Sequence, residues 1–339
     1  MYTRKKYAKI STLLLLTLLL TQFTACTPQN QSADEAVNYS NFFFDTYITI
    51  TLYEDNAAMI DKCFKQCAYY ESIFSKTVSG SDIDRINQAD GHFVSVTDDT
   101  IILLNEALQY AELTNGAIDP TINAVTCLWD FSDSTSSSLP STASIGEALS
   151  HVDYQAIIIS GNQVALTDSE ASLDLGFIAK GYIADRIKET LQNGGITHAI
   201  INLGGNVQLL GTKPDNSNYS VAIKRPFHEE ENIAAISVSD CSIVTSGVYE
   251  RYFYVDDQLY HHILDTTTGY PIDNHLTSVT IVCDSSLTAD ALSTTCFVLG
   301  LDAGLQLIES MDGVEVMFVD DREQITTSSG FPENLLTTS

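Results

Sequence analysis

Leu287-Thr288-Ala289-Asp290-Ala291-Leu292-Ser293-Thr294 is the stretch best equipped for chemistry: it follows a strand-like run and has the composition of a helix start. Thr288 is placed to cap that helix, and Asp290 and Thr294 then fall four residues apart on one face. One carboxylate and one hydroxyl make half of a hard-oxygen shell, of the kind that holds Mg²⁺ when phosphate oxygens and waters complete it. On spacing alone an Asp290 that complements the helix dipole beside an exposed Thr294 is the commoner arrangement. A second stretch, Asp174-Leu175-Gly176-Phe177-Ile178-Ala179-Lys180-Gly181-Tyr182, runs from an apolar strand through two glycines into a helix. Such a start presents backbone N–H groups to an anion, with Lys180 able to neutralise a phosphate and Asp174 able to accept from an adenine or ribose. It is neither a Walker loop nor a dinucleotide fingerprint, and an ordinary helix-entry turn has the same pattern. The third stretch is His261-His262-Ile263-Leu264-Asp265-Thr266-Thr267-Thr268-Gly269-Tyr270-Pro271. A histidine ahead of a turn closed by Gly and Pro serves either as a general base near neutrality or as a structural group.

The elements that must position these residues alternate without a regular βαβ period, which favours α+β over a doubly wound sheet. Phe42 to Tyr53 alternates like an opening strand, Asn56 to Phe74 has helical spacing, and Thr97 to Thr114 predicts a second helix capped by Thr97 or Asp98. Ala156 to Ile159 and Gln163 to Leu166 form an expected hairpin, and His198 to Asn202 leads into Gly204-Gly205. Strands are expected at Tyr219–Ile223, Ala234–Val238 and Ser278–Cys283, with helices over Lys180–Gln192 and Thr288–Leu299. The serine-rich stretch 132–144 is expected to be a mobile surface loop.

Arg4, Lys5, Lys6 and Lys9 precede the apolar run Leu13 to Leu20 and then Phe23-Thr24-Ala25-Cys26, the order of a secretory leader over residues 1–25. That run is short for a membrane span. The tripeptide before Cys26 resembles the lipobox of bacterial lipoproteins, departing at Phe23 where Leu is usual, so Cys26 is the expected lipidation site and residues 26–40 a polar tether. Removing the leader takes away four positive charges and no acid, moving the formal charge from −28 to −32. So acidic a chain is a poor partner for nucleic acid, and a phosphorylated ligand needs a local cation to be held. Six cysteines follow Cys26, with no CxxC and no nearby histidine cluster to suggest zinc. Cys63 and Cys67 share a helix face, and buried free thiols are the expectation.

Taken in order, Phe44-Asp45-Thr46, Ser81 to Asn87, Gly116 to Thr121, Asp174 to Tyr182, Asn202 to Gly205, Thr245 to Arg251, His262 to Pro271 and Thr288 to Thr294 resemble the FAD:protein FMN transferase (ApbE-like) family, over about residues 41–335. The resemblance implies an α+β fold of mixed sheets with packed helices, ApbE-like and T-fold-like. It implies Mg²⁺-dependent transfer of the FMN part of FAD to a Thr or Ser hydroxyl of an acceptor flavoprotein, with release of AMP. Asp290, Thr294 and the backbone carbonyl of Phe177 would then ligate the metal. The flavin nucleotide would lie along Ala117, Ile118 and Asp119, with Phe44, Asp174, Lys180 and Thr277 around it, and His262 would stand beside the reacting phosphate. The chain departs from the family at Phe177, usually small, and at Thr266, where Pro is common. Implied acceptors belong to membrane or extracytoplasmic electron-transfer systems, which places the enzyme on the outer face of a bacterial cell membrane, held by its lipid. Water in place of the acceptor would make it an FAD pyrophosphatase, and the segment Phe74-Ser75-Lys76-Thr77 lacks an aromatic expected of many transferases. A non-catalytic flavin-binding lipoprotein is the alternative outside enzymes.

Overall fold

Thr46–Leu52 alternates β-branched and apolar residues, and it forms a strand in which Ile48, Ile50 and Leu52 are fully buried. The computed structural model describes residues 36–131, 138–332 and 334–335, all in one unit that begins at Ala36. The leader, Cys26 and most of the expected tether lie outside the described residues. Phe42 to Tyr53 is not one strand but part of a hairpin: Val37–Phe43 pairs with Thr46–Leu52 around Phe44 and Asp45, whose φ angles are 54° and 58°. Both turn residues are left-handed, as a two-residue hairpin turn with matching twist requires. Val37 to Ser40, expected in the tether, are therefore strand.

That hairpin starts an eight-stranded antiparallel sheet in the order Val37–Phe43, Thr46–Leu52, Ala199–Leu203, Asn206–Leu210, Ser242–Gly247, Leu276–Cys283, Glu315–Asp320, Ile325–Thr327. Helices Ala57–Phe74, Ala179–Asn193 and Ser286–Glu309 pack on one another and on one face of it. Tyr219–Arg225 and His228–Val238 cover the other face through Tyr219, Ile223 and Ile236, against Leu209, Ile243 and Met317. Smaller pieces are the sheet of Val94–Ser95, Gln163–Leu166 and Ile157–Ser160 and the hairpin Tyr252–Val255 with Gln258–His261. The architecture is α+β, several sheets with packed helices.

The helices follow their apolar spacing. Ala57–Phe74 is capped by Asn56, which accepts from Met59 N, and buries Met59, Ile60, Cys63, Cys67, Tyr70, Ile73 and Phe74. Cys63 and Cys67 are free thiols, pushed by burial to about 11 and about 12 and so inert. Asp98–Leu113 is capped by Thr97. The serine-rich stretch is helical at its far end, where Ser141 caps Thr142–Leu149; residues 132–137 lie outside the described part. Ser286–Glu309 is long and apolar enough to cross a membrane by length and composition. Here it is a core helix: Ala289, Leu292, Cys296 and Phe297 are fully buried in the cluster under the sheet, and Gly300 interrupts it at φ 79°.

Candidate active site

The helix expected from Thr288 begins earlier, because Ser285 and not Thr288 is the cap: its side chain accepts from Thr288 N. Asp290 still lies in the opening turns, only 5% exposed, and Oδ2 accepts from Gly181 N at 2.8 Å. Gly181 belongs to the first turn of Ala179–Asn193, whose cap Ile178 provides no side-chain bond. The carboxylate of one helix thus serves the positive end of another. The approach needs glycine, since a Cβ on Gly181 would stand 2.2 Å from Ser286 O and 2.7 Å from Asp290 Cβ.

Two consequences concern a cation. Gly181 N is turned to Asp290 instead of to the residue four back, and among the described residues no backbone N–H outside regular elements donates to the Phe177 carbonyl. Burial pushes the Asp290 carboxyl up to about 6, with Lys180, the Gly181 N–H and the Asn206 side chain only partly offsetting it. A buried carboxylate short of compensating charge, a free carbonyl at the adjoining helix start and a hydroxyl one turn on suit a small, hard divalent ion. Thr294 Oγ1 sits 3.1 Å from Ser246 Oγ, which also meets Ser293 Oγ at 2.7 Å. Among the described residues no three His, Cys, Asp or Glu side chains cluster to hold a metal by themselves, so a cation here would need carbonyl, hydroxyl, ligand and water oxygens to complete its shell.

The third stretch is tied in through the backbone. His262 N donates to Arg251 O at 3.1 Å, and Nδ1 lies 3.3 Å from the same oxygen. A carbonyl only accepts, so Nδ1 carries the proton and Nε2 keeps its lone pair. Burial, with Arg251, His261 and Lys180 nearby, holds His262 down to about 3, while burial holds His261 at about 4. His262 is therefore neutral in the free chain, with its Nε2 lone pair available, and a bound anion would raise its basicity towards that of a general base. Lys180 and Arg251 both act on it, and neither forms an ion pair with any described residue. In so acidic a chain, two unpaired cations facing one histidine favour an anionic ligand.

Hydrogen bonds link the remaining segments. Asp174 N donates to Pro120 O at 2.8 Å, Thr266 Oγ1 to Gly116 O at 2.8 Å and Val248 N to Thr277 O at 3.0 Å. Ala117, Ile118, Asp119, Asp174, Thr277 and the His262 turn are thereby held in one network, and Thr266, unusual for the family, makes one of its bonds. Phe44 stands apart from these bonds; its N–H donates to Glu71 Oε1 at 2.7 Å, and it packs with Phe177 against the same core cluster. Some side chains are committed elsewhere. Asp119 Oδ1 accepts from Thr121 N and Oγ1, and Oδ2 from Tyr154 N; Thr277 Oγ1 donates to Val319 O and Asp320 O. Asp174 was expected to accept from a ligand, yet Oδ2 pairs with Lys76 at 2.8 Å and Oδ1 accepts from Gly176 N at 2.7 Å. Burial pushes its carboxyl up, but Lys76, the Gly176 N–H and Arg251 outweigh this and hold it below the usual range.

Lys76, Ser246 and Arg251 were not singled out from the sequence. Lys76 Nζ also donates to Asn123 Oδ1 at 2.6 Å. Its signal was available in the rarity of basic residues, 16 against 44 acids, with one falling beside a segment that already mattered. A cavity of about 490 Å³ between Phe227, Tyr254, Tyr260, His275 and Asp321 is lined by Thr277 and by His261, Tyr270 and Pro271 of the third stretch, but not by Asp290, Thr294, Lys180 or His262.

The ApbE family profile matches residues 44–318. An FAD:protein FMN transferase of Klebsiella pneumoniae is 33% identical over 302 residues, covering 88% of this chain and 93% of that one. One of Treponema pallidum is 32% identical over 295 residues, with coverage of 82% and 81%. The crystal structure of the ApbE protein from Thermotoga maritima superposes with a TM-score of 0.80 at 31% identity, covering 88% of this chain and 98% of that one. The flavin transferase ApbE from Vibrio cholerae gives 0.77 at 27% identity, with the same coverage. Family profile, relatives and folds agree over nearly all of the described chain, and the protein belongs to the ApbE family.

Proposed function

We propose that this chain is an FAD:protein FMN transferase that uses Mg²⁺. The observation that carries the reading is the meeting of a charge-deficient Asp290 with an unpaired Lys180, an unpaired Arg251 and a neutral His262, in a chain whose relatives bear that name. Asp290, Thr294 and the Phe177 carbonyl would hold the ion, which when bound offsets the pyrophosphate charge and polarises the flavin-side phosphorus. Lys180 and Arg251 attract the dianion, and Ala117 to Asp119 with Asp174, Phe44 and Thr277 line the nucleotide's course. His262 Nε2 takes the proton of an acceptor Thr or Ser hydroxyl as its oxygen bonds to that phosphorus and the bond to AMP breaks. The acceptor is a flavoprotein of a membrane or extracytoplasmic electron-transfer system. A leader over residues 1–25 and lipid on Cys26 would hold the enzyme on the outer face of the bacterial cell membrane. Incubation with FAD, Mg²⁺ and an acceptor protein tests the reaction: yellow fluorescence that stays with the acceptor on a denaturing gel supports transfer. Free FMN and AMP without label would make the enzyme a pyrophosphatase, and unchanged FAD would leave a binding protein.

A further inference from the structure

We propose that Asp185 is a positioning residue for the metal-holding pair, latching the start of the Ser286–Glu309 helix so that Asp290 meets Gly181 and Thr294 meets Ser246. The proposal rests on the metal reading above. Asp185 lies on the same helix as Gly181, just over one turn further on. Its Oδ1 accepts from Ser286 N at 2.9 Å, and its Oδ2 accepts from Leu287 N at 3.0 Å and Ser285 Oγ at 2.9 Å. These N–H groups open the Ser286–Glu309 helix, and a helix cannot satisfy them from within. Asp290 returns the service by accepting Gly181 N at the start of Asp185's own helix. Two helices therefore exchange carboxylates at their N-termini, each acid sitting a turn inside one helix and serving the start of the other.

The latch has little slack. Ser286 Oγ donates to Asn206 Oδ1 at 2.7 Å, tying the same turn to the central sheet. Gly181 is so close to Ser286 O that no side chain fits between. A shift of the Ser286 turn would carry Asp290 and Thr294 with it, because both ride on the following turns of a continuous helix. Asp185 itself borders a cavity of about 330 Å³ formed with Ile102, Glu106, Tyr182, Arg186 and Leu287, none of them a candidate substrate or metal residue. It acts through Asp290 and Thr294, not on the substrate.

Asp185→Asn tests this, because it keeps the shape but turns an N–H₂ onto backbone N–H groups. The probe is Mn²⁺ binding to the full chain in the presence of ADP, followed by the paramagnetic signal of the free ion. The expected result is a Kd for Mn²⁺ raised about tenfold, as for loss of an outer partner that orients a ligand. In the transfer assay half-saturating Mg²⁺ rises by the same factor, while kcat at saturating Mg²⁺ stays within about twofold. Wild-type Mn²⁺ affinity in a variant of lowered Tm would show a merely structural cap and overturn the proposal while leaving the metal reading standing. Should Asp185→Asn fail to fold, Ser285→Ala, which removes one of the three latch bonds together with the cap bond to Thr288 N, is expected to weaken Mn²⁺ about threefold, and an unchanged Kd overturns the proposal. A wild-type chain that binds no Mn²⁺ would overturn the metal reading and this one with it.

Discussion

Asp119 and Asp290 are 7% and 5% exposed, and burial pushes both carboxyls up from the usual range. Around Asp119 the chain supplies three donors, Thr121 N, Thr121 Oγ1 and Tyr154 N, which occupy both oxygens. Around Asp290 it supplies one backbone donor, Gly181 N, with the Asn206 side chain and Lys180 in the vicinity, and together they do not offset the burial. The first acid fastens the turn after Gly116 to the Tyr154 segment. The second is left needing positive charge that the protein does not fully provide. Burial alone therefore does not mark a site; a buried charge whose compensation is incomplete does.

The largest expected consequence is in catalysis. Asp290→Ala should lower the rate of flavin transfer about a thousandfold, since the cation and the charge it offsets are lost together. Its Tm should move little, because a poorly compensated buried charge disappears along with one hydrogen bond. Asp119→Ala should act mainly on the fold, costing about 3 kcal/mol of stability by orphaning buried donors, while transfer per folded molecule falls far less than in Asp290→Ala, because the Asp119 carboxylate is bonded to Thr121 and Tyr154 and only its backbone is left to line the nucleotide's course; denaturant titration with transfer assays on both variants checks the pair. If Asp119→Ala abolished transfer at unchanged stability, the contrast between the two acids would be wrong. Next is His262→Gln, expected to slow transfer about a hundredfold with FAD binding kept, as for loss of a general base. Wild-type turnover by that variant would remove His262 from the reaction.

The smallest effect is on the pH dependence of folding. His262 and His261 are held at about 3 and about 4 in the fold, below the unfolded value of about 6.5. As pH falls through about 6.5 the unfolded chain binds protons that the folded chain refuses, so stability declines from pH 7 towards 4. Asp290, raised to about 6, acts oppositely: the fold binds its proton first, which stabilises below about 6 and fades as pH rises through it. Two histidines outweigh one carboxyl, leaving a net loss in acid. His262→Gln should flatten that decline in Tm against pH, and an unchanged slope would show that His262 titrates normally.

The long elements were legible because apolar side chains repeat at the period of their structure. Met59, Cys63, Cys67 and Tyr70 announce a helix, and Ile48, Ile50 and Leu52 a strand. The opening hairpin was missed because its turn uses Phe44 and Asp45 at positive φ, without the glycine or asparagine that normally signals one. Thr288 reads as the cap from the sequence, whereas Ser285 takes that place in the fold, where Asp185, a hundred residues away, holds Ser285 and the next two N–H groups. The site was legible in its parts and through family resemblance. Its electrostatics were not, because the Lys76–Asp174 pair and the Arg251 carbonyl under His262 arise only when distant segments meet.

Whether a divalent cation at Asp290 serves transfer of FMN to protein is tested most directly by intact-mass measurement of an acceptor. With wild-type enzyme, FAD and Mg²⁺, the acceptor should gain the mass of one FMN, and a chelator added beforehand should prevent the gain. An acceptor of unchanged mass under both conditions, or an equal gain with the chelator present, would contradict it.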